Sequence, residues 1–403
     1  MALPFQVHSV DTLSRARRGT LTTAHGSVET PTFMTVGTRA TVTGLDPSDL
    51  VQMGAGIVLG NTYHLMLRPG PELFWRVGGI HNFMKWSGPV LTDSGGYQIF
   101  SLSKDRTISE KGARFRSYVD ARMHMLSPEV SIELQSAIGS DIAMVLDVCI
   151  DSQSDEASTR AAMERTHRWA LRSLAAKNAL AAQGRQSNPG QALFAIIQGG
   201  VVPSLRVESA AFLTQQPFDG FALGGLAVGD TRAEREDITH FAAELMPATH
   251  PRYLMGVGTP ADLLESIRAG IDMFDCVIPT HFAWQATAFT STGRVRATKA
   301  TNATNDGPLD AACSCTTCTR FSRAYLHHLF QCKEPLGPRL LSIHNLHHYY
   351  DLMAQARAAI AAGVYARFAE ETLERIDRHE GQEKRLGERA ARGTASPPSE
   401  SAP

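Results

Sequence analysis

Asp275 stands in the stretch MFDCVIPTHFAW, Met273 to Trp284, a single carboxylate inside a run that otherwise reads as a buried strand. Placing a carboxylate among Met, Phe, Cys, Val and Ile strips its hydration, so the group must be paired or put to chemical use. Asp93 has a related setting: LTDSGGYQ, Leu91 to Gln98, puts an acid after an apolar strand and follows it with two glycines that let the backbone close on a bound group. Taken alone, an Asx-turn with Gly95 and Gly96 as turn residues accounts for that segment. The arrangement recurs, however, because Asp147 ends IAMVLD, Gln198 ends LFAIIQ, and Gly224 and Gly225 end GFALGG. Asp147 and Gln198, with N–H groups of the glycine turn, form the mixed acceptor and donor set that a purine edge demands. Tyr97 and Met255 add an aromatic face and a polarisable side chain suited to sandwiching a flat heterocycle. Asp93 and Asp275 then allow one carboxylate to attack an anomeric carbon while the other handles protons, as in retaining glycosyl transfer. The competing account of Asp275 is a structural carboxylate bonded to backbone or to Tyr253.

A second chemistry is signalled by CSCTTC, with Cys313, Cys315 and Cys318, and by His344 in SIHN. Three thiolates and an imidazole make a closed tetrahedral set, which suits one structural zinc ion per chain and not a catalytic one. A Cys-rich loop without metal, or His327, His328, His347 or His348 as the fourth ligand, are the other readings.

The elements that must position these residues are short apolar runs: PTFMTVG from Pro31, GIVLG from Gly56, PVLT from Pro89, IAMVLD from Ile142, LFAIIQG from Leu193, GFALGG from Gly220, YLMGVG from Tyr253 and DMFDCVI from Asp272. Helical patterns lie between them, such as Asp155 to Ala182, with Ser154 as N-cap and Met163, Trp169, Leu171 and Leu174 on its apolar positions. Such strands alternating with helices over roughly 250 residues predict a (β/α)8 TIM barrel, with the site residues on its C-terminal face. The expected organisation is a catalytic barrel over 1–300, an inserted zinc-binding subdomain over 301–345, C-terminal helices completing the barrel over 346–380, and a charged, then Pro/Ser-rich, disordered tail over 381–403.

The 403 residues carry 39 Lys+Arg against 40 Asp+Glu, so a nucleic-acid partner must be met by a local basic patch and not by net charge. No apolar stretch is long enough to span a bilayer and the N-terminus has no signal-peptide pattern, which predicts a cytoplasmic protein with no membrane partner. Three of its six cysteines lie within six residues, which fits a reducing compartment and a metal site better than a disulfide framework.

From about Phe5 to Phe368 the chain closely resembles the tRNA-guanine transglycosylases. The matching strings are NTYHLMLRPG, LTDSGGYQ, ISEKGARFRS, HMLSPE, QGG, GGLAVG, RYLMGVGTP, FDCVIPT and CSCTTC with the later HN. The resemblance implies a (β/α)8 barrel with a zinc subdomain, usually a homodimer, that exchanges guanine at the wobble position of tRNA for a 7-deazaguanine base in queuosine biosynthesis. It implies Asp275 as the nucleophile that forms a covalent ribosyl intermediate, Asp93 as general acid/base, Asp147, Gln198 and Gly225 as base-reading groups, and Tyr97 and Met255 as stacking partners. Ser94 and Gln98 lie within the same motif as substrate-binding residues. Cys149 and Val228 resemble the bacterial type that takes 7-aminomethyl-7-deazaguanine in place of queuine.

The chain departs from the family pattern after CVIPT, where HFAWQATAFT puts His281, Phe282, Trp284 and Gln285 in place of a basic loop. Val148 and Asp230 stand where the family commonly has Glu. Phe282 and Trp284 either stack on unpaired bases, with GRVRATK from Gly293, Arg320 and Arg323 supplying phosphate contacts, or pack the loop. Two other readings remain open on sequence: the same exchange on DNA or an unusual tRNA, and a non-catalytic RNA-binding subunit. The second predicts loss of one of the two acids, and both are present.

Overall fold

The computed structural model describes residues 3–102, 105–376 and 378. Each apolar run becomes one strand of a closed parallel barrel: Thr32–Gly37, Val58–Gly60, Val90–Thr92, Ile142–Met144, Ala192–Ile197, Gly220–Leu223, Arg252–Leu254 and Met273–Cys276. Strands neighbour one another in chain order, and the last closes on the first with Met273 opposite Thr32 and Asp275 opposite Met34. Strand five is buried at every position from Ala192 to Ile197, as a parallel strand covered on both faces requires. Continuous apolar runs, not alternating ones, follow from that double coverage.

Helices with legible caps surround the barrel. Ser127 accepts from Val130 N–H at the start of Pro128–Ile138, and Thr259 with Asp262 forms a capping box at the start of Pro260–Arg268. The long helix runs Glu156–Ala182, and its N-cap is Asp155, whose carboxylate accepts from Ser158 N–H, and not Ser154. The carboxylate wins because it faces the unpaired N–H groups of the first turn. Met163 and Trp169 are buried on this helix, but Leu171 is exposed, so its apolar stripe is narrower than the periodicity implies.

Three additions decorate the barrel. An antiparallel sheet of Phe5–Val10, Arg17–Thr23 and Gly26–Thr30 lies across the N-terminal ends of the strands. There Arg17 pairs with the buried Asp272 at 2.9 and 2.5 Å and donates to Ala248 and His250 carbonyls at 2.6 and 2.7 Å. In the same layer His25 and His81 stack at 3.5 Å and both meet one carboxylate, Asp141, at 2.8 and 3.1 Å. An ion shared by both parallel rings would sit about half that spacing out of each ring plane, a poor fit to an imidazole bond of about 2.0–2.1 Å, so the trio reads as a structural clamp.

The second addition is a sheet of Arg106–Ser109, Gly112–Arg116 and Met123–Leu126, which follows strand three. The third comprises the hairpin Thr287–Thr290 and Gly293–Arg296, the Cys-rich segment, and the helix Leu336–Ala361. That helix passes unbroken through position 345 and packs against the first barrel strand and the helix Ile278–Trp284, tying the Cys-rich segment to the barrel. Among the described residues, no helix is long and apolar enough to cross a membrane. The tail expected from Gly381 lies outside the described residues.

Candidate active site

The C-terminal ends of the barrel strands open on a cavity of about 390 Å³ lined by Asp93, Ser94, Tyr97, Gln98, Asp147, Gly225, Met255 and Asp275. Gln198 stands behind it and enters through its partner, donating from Nε2 to Asp147 Oδ2 at 2.7 Å. Ser94 Oγ donates to the other oxygen, Oδ1, at 3.2 Å. Two glycines make this closeness possible. A Cβ on Gly96 would lie 2.6 Å from Asp147 Oδ1, and one on Gly225, where φ is +68°, would lie 2.4 Å from Gln198 Oε1.

Asp275 is the third residue of the last strand, and its Oδ1 accepts from Tyr253 Oη at 2.5 Å and from Gly256 N–H at 2.8 Å. Oδ2 has no hydrogen-bond partner among the described residues, so one oxygen is tethered and the other is left for chemistry. Asp93 accepts from Asn61 Nδ2 at 2.6 Å and from Thr62 N–H at 2.8 Å. Both carboxylates are enclosed by protein and keep a partial opening to the cavity alone.

Burial pushes the Asp93 carboxyl up to about 7, against the pull of the Thr62 N–H, and the negative charges of Asp275 and Asp147 add to the rise. Burial also raises Asp275, opposed by its Tyr253 and Gly256 donors, and raises Asp147. Burial thus raises all three carboxyls of the cavity, and Asp93, displaced to about neutrality, is poised for proton transfer. Gln98 Oε1 is a buried acceptor without a protein partner at the cavity wall, suited to a hydroxyl or amine of a ligand.

Several residues that position this site are not evident in the sequence. Arg206 is fully buried and donates to the carbonyls of Ile197, Gly200 and Gly224 at 2.6, 2.9 and 2.9 Å, clamping the ends of strands five and six. In SLRVES on an amphipathic helix it reads as a surface cation. Asn61 belongs to the NTYHL string, yet nothing in its type reveals that it would orient Asp93. Asp230 accepts from Val228 N–H at 3.0 Å and from Arg235 at 2.9 Å, so the shorter acid still anchors the turn beside the cavity.

The divergent segment after Asp275 forms the helix Ile278–Trp284. Phe282 packs the loop, stacking on Phe289 with centroids 5.5 Å apart and planes at 6°, whereas Trp284 is 47% exposed.

At the Cys-rich segment, His344 Nδ1 lies 3.6, 3.5 and 3.2 Å from the sulfurs of Cys313, Cys315 and Cys318. Tetrahedral bonds of about 2.3 Å to sulfur and 2.0–2.1 Å to nitrogen place ligand atoms roughly 3.5 Å apart, so this group can hold a metal ion. His344 Nε2 meets Phe289 carbonyl at 2.6 Å, which fixes that nitrogen as the donor and leaves Nδ1 with its lone pair for the ion. The other four candidate histidines are engaged elsewhere: His327 with Ala297 carbonyl, His328 with Cys332, His347 with Ser314, and His348 in a stack on Phe289 with ring centroids 6.5 Å apart.

Comparison with known proteins decides the family. The family model described as queuine tRNA-ribosyltransferase matches residues 11–378. The chain belongs to the queuine tRNA-ribosyltransferase family. It is 50% identical over 364 residues to the queuine tRNA-ribosyltransferase of Oleidesulfovibrio alaskensis, covering 90% of this chain and 94% of that one. It is 51% identical to that of Nitratidesulfovibrio vulgaris, with 90% and 95% covered, and 48% identical to that of Desulforudis audaxviator, with 93% and 98% covered. A queuine tRNA-ribosyltransferase is a pentosyltransferase, and the cavity at the C-terminal ends of the strands holds two carboxyls, Asp93 and Asp275, of the kind that glycosyl transfer uses.

Proposed function

We propose that this chain exchanges guanine at the wobble position of tRNA for a 7-deazaguanine base in queuosine biosynthesis, through a covalent ribosyl–Asp275 intermediate. The observation that carries the mechanism is the asymmetric tethering of Asp275, with both donors on Oδ1 and Oδ2 left without a partner in the cavity that holds Asp93. Oδ2 attacks C1′ of the ribose as the bond from C1′ to N9 of guanine breaks, and the departing base takes its proton from Asp93. The incoming base then returns a proton from its N9 to Asp93 and attacks C1′, releasing Asp275. Two inversions retain the anomeric configuration. Enclosure of Asp275 keeps water from the ester until the second base arrives.

Asp147, Gln198 and Gly225 read the base edge, Tyr97 and Met255 cover its faces, and Ser94 and Gln98 complete the pocket. Cys149 and Val228 on the cavity wall favour the small 7-aminomethyl base. Cys313, Cys315, Cys318 and His344 hold one zinc ion, which fastens segment 301–345 to the barrel as a subdomain and takes no part in the chemistry. A homodimer in the cytoplasm belongs to the same reading.

The test is entry of radiolabelled guanine into total tRNA and total DNA. Label entering tRNA alone is expected. Label in DNA alone would move the exchange to that polymer, the reading that the divergent segment with Trp284 favours. No label in either would sink the transfer.

Tyr253 offers a finer test. A hydrogen bond to a charged acceptor contributes about 1.5–3 kcal/mol, or one to two pH units on a carboxyl. Tyr253→Phe removes the donor, raises the Asp275 pKa and leaves less carboxylate at neutral pH. The acid limb of the pH–rate profile should move up by about one unit, with activity recovering as pH rises until Asp93, at about 7, loses the proton that the departing base needs. An unmoved limb would remove Tyr253 from the tuning of Asp275.

A further inference from the structure

The sheet spanning Arg106–Ser109, Gly112–Arg116 and Met123–Leu126 takes no part in closing the barrel, and its two faces differ. Pairing places Thr107, Arg114 and Met125 in one row and Arg116 opposite Met123 in the next on the same face, since residues two apart along a strand point the same way. The opposite face, carrying Ala113, Phe115 and Leu126, is buried in a cluster with Tyr63, Leu134 and Trp169. The outer face is open: Met123 and Met125 are 37% and 42% exposed, and Arg114 is exposed, its side chain in no ion pair or hydrogen bond among the described residues. Arg116 is held by Asp105 and by Ala121 carbonyl, each at 2.9 Å.

This face joins the mouth of the cavity. Two residues beyond Arg116, the exposed Tyr118 meets His64 Nδ1 through its hydroxyl at 2.8 Å, and His64 lines the cavity. Arg39, exposed and likewise without a side-chain partner among the described residues, is near His64: burial of the imidazole, with the Arg39 charge added, holds it below its usual range. An open guanidinium, polarisable thioethers and an exposed phenol ring, continuous with a nucleotide pocket, match what binds single-stranded nucleic acid: cations for phosphates and flat or soft groups for bases.

We propose that the outer face of this sheet, with Tyr118 and Arg39, is a second contact surface for the RNA, carrying the phosphodiester backbone that leaves the pocket. The proposal rests on the reading of the pocket as a tRNA site, but its test does not depend on catalysis. Fluorescent tRNA is bound to wild type, Arg114→Glu and Arg185→Glu over a range of salt concentrations. Arg185 is exposed and precedes strand five at the other end of the barrel, so it controls for net charge. Arg114→Glu should weaken binding about tenfold and flatten the log–log salt dependence by roughly 0.7–0.9, one phosphate contact, while Arg185→Glu behaves as wild type. In exchange assays KM for tRNA should rise with kcat and KM for the free base unchanged. Equal affinities and slopes for all three proteins would overturn the surface, as would weakening of both variants alike. Loss of guanine exchange by wild type would instead sink the reading of the pocket, leaving the binding comparison to stand by itself.

Discussion

Asp275→Asn abolishes exchange, with a loss of at least about 10⁴-fold, more than about 5 kcal/mol at 1.36 kcal/mol per tenfold. An amide oxygen cannot form the glycosyl ester, and the other carboxyls of the cavity are engaged, Asp93 by Asn61 and Thr62 and Asp147 by Gln198 and Ser94. The variant should fold, because Asn matches Asp in size and its Oδ1 still accepts from Tyr253 and Gly256. It should also be no less stable at neutral pH. The Asp275 pKa is raised in the fold above its ordinary value near 3.8, so the stability this carboxyl contributes is present below that value and is lost as pH rises through the folded pKa. Above that window the ionised group is a burden that Asn lacks, and the melting temperature of Asp275→Asn should equal or exceed that of wild type. Exchange assays, trapping of the ribosyl adduct under denaturing conditions, and melting curves at pH 4 and pH 8 check each part. Normal turnover by a well-folded Asp275→Asn would end the nucleophile assignment.

The barrel was readable because its physics is uniform. Strands covered on both faces must be apolar throughout, and each run, from PTFMTVG to DMFDCVI, became a strand, with its polar or glycine ending turned to the C-terminal face. The residues that converge there were readable for the same reason, since a carboxylate or amide at the end of such a run has little other use. What stayed hidden depends on long-range partners. Arg206 and Asn61 look like ordinary polar residues until three carbonyls gather round one and Asp93 meets the other. The sheet from Arg106 to Leu126 was concealed by its outer face, where Arg and Met alternate with buried residues and mask the strand pattern. Phe282 and Trp284 share one motif, yet one stacks into the protein and the other faces solvent; only the position of Phe289 distinguishes them.

Cys318→Ser loses the metal and lowers the melting temperature by on the order of 10 °C, because a serine hydroxyl stays protonated and is a weak ligand where a thiolate is required. The effect should not remain local. His344 shares the helix Leu336–Ala361 with Asn345, which donates to the carbonyls of Pro279 and Thr287 at 2.8 and 3.0 Å, and with Tyr349, which donates to Gly258 carbonyl at 2.7 Å. Pro279 follows Asp275 by four residues, and Gly258 follows the N–H donor Gly256 by two. A metal bound through His344 would thus hold the part of the helix that, through Asn345 and Tyr349, grips the chain on both sides of Asp275. Exchange by Cys318→Ser should fall several-fold at moderate temperature and collapse on warming, whereas Asp275→Asn is inactive at every temperature. Metal content by mass spectrometry, with melting in the presence and absence of a strong chelator, gives the decisive comparison. Chelated wild type should melt with the variant, and the variant should be indifferent to chelator. Full metal stoichiometry with unchanged melting in Cys318→Ser would remove that thiol from the ligand set and, with it, the coupling between the metal and the active site.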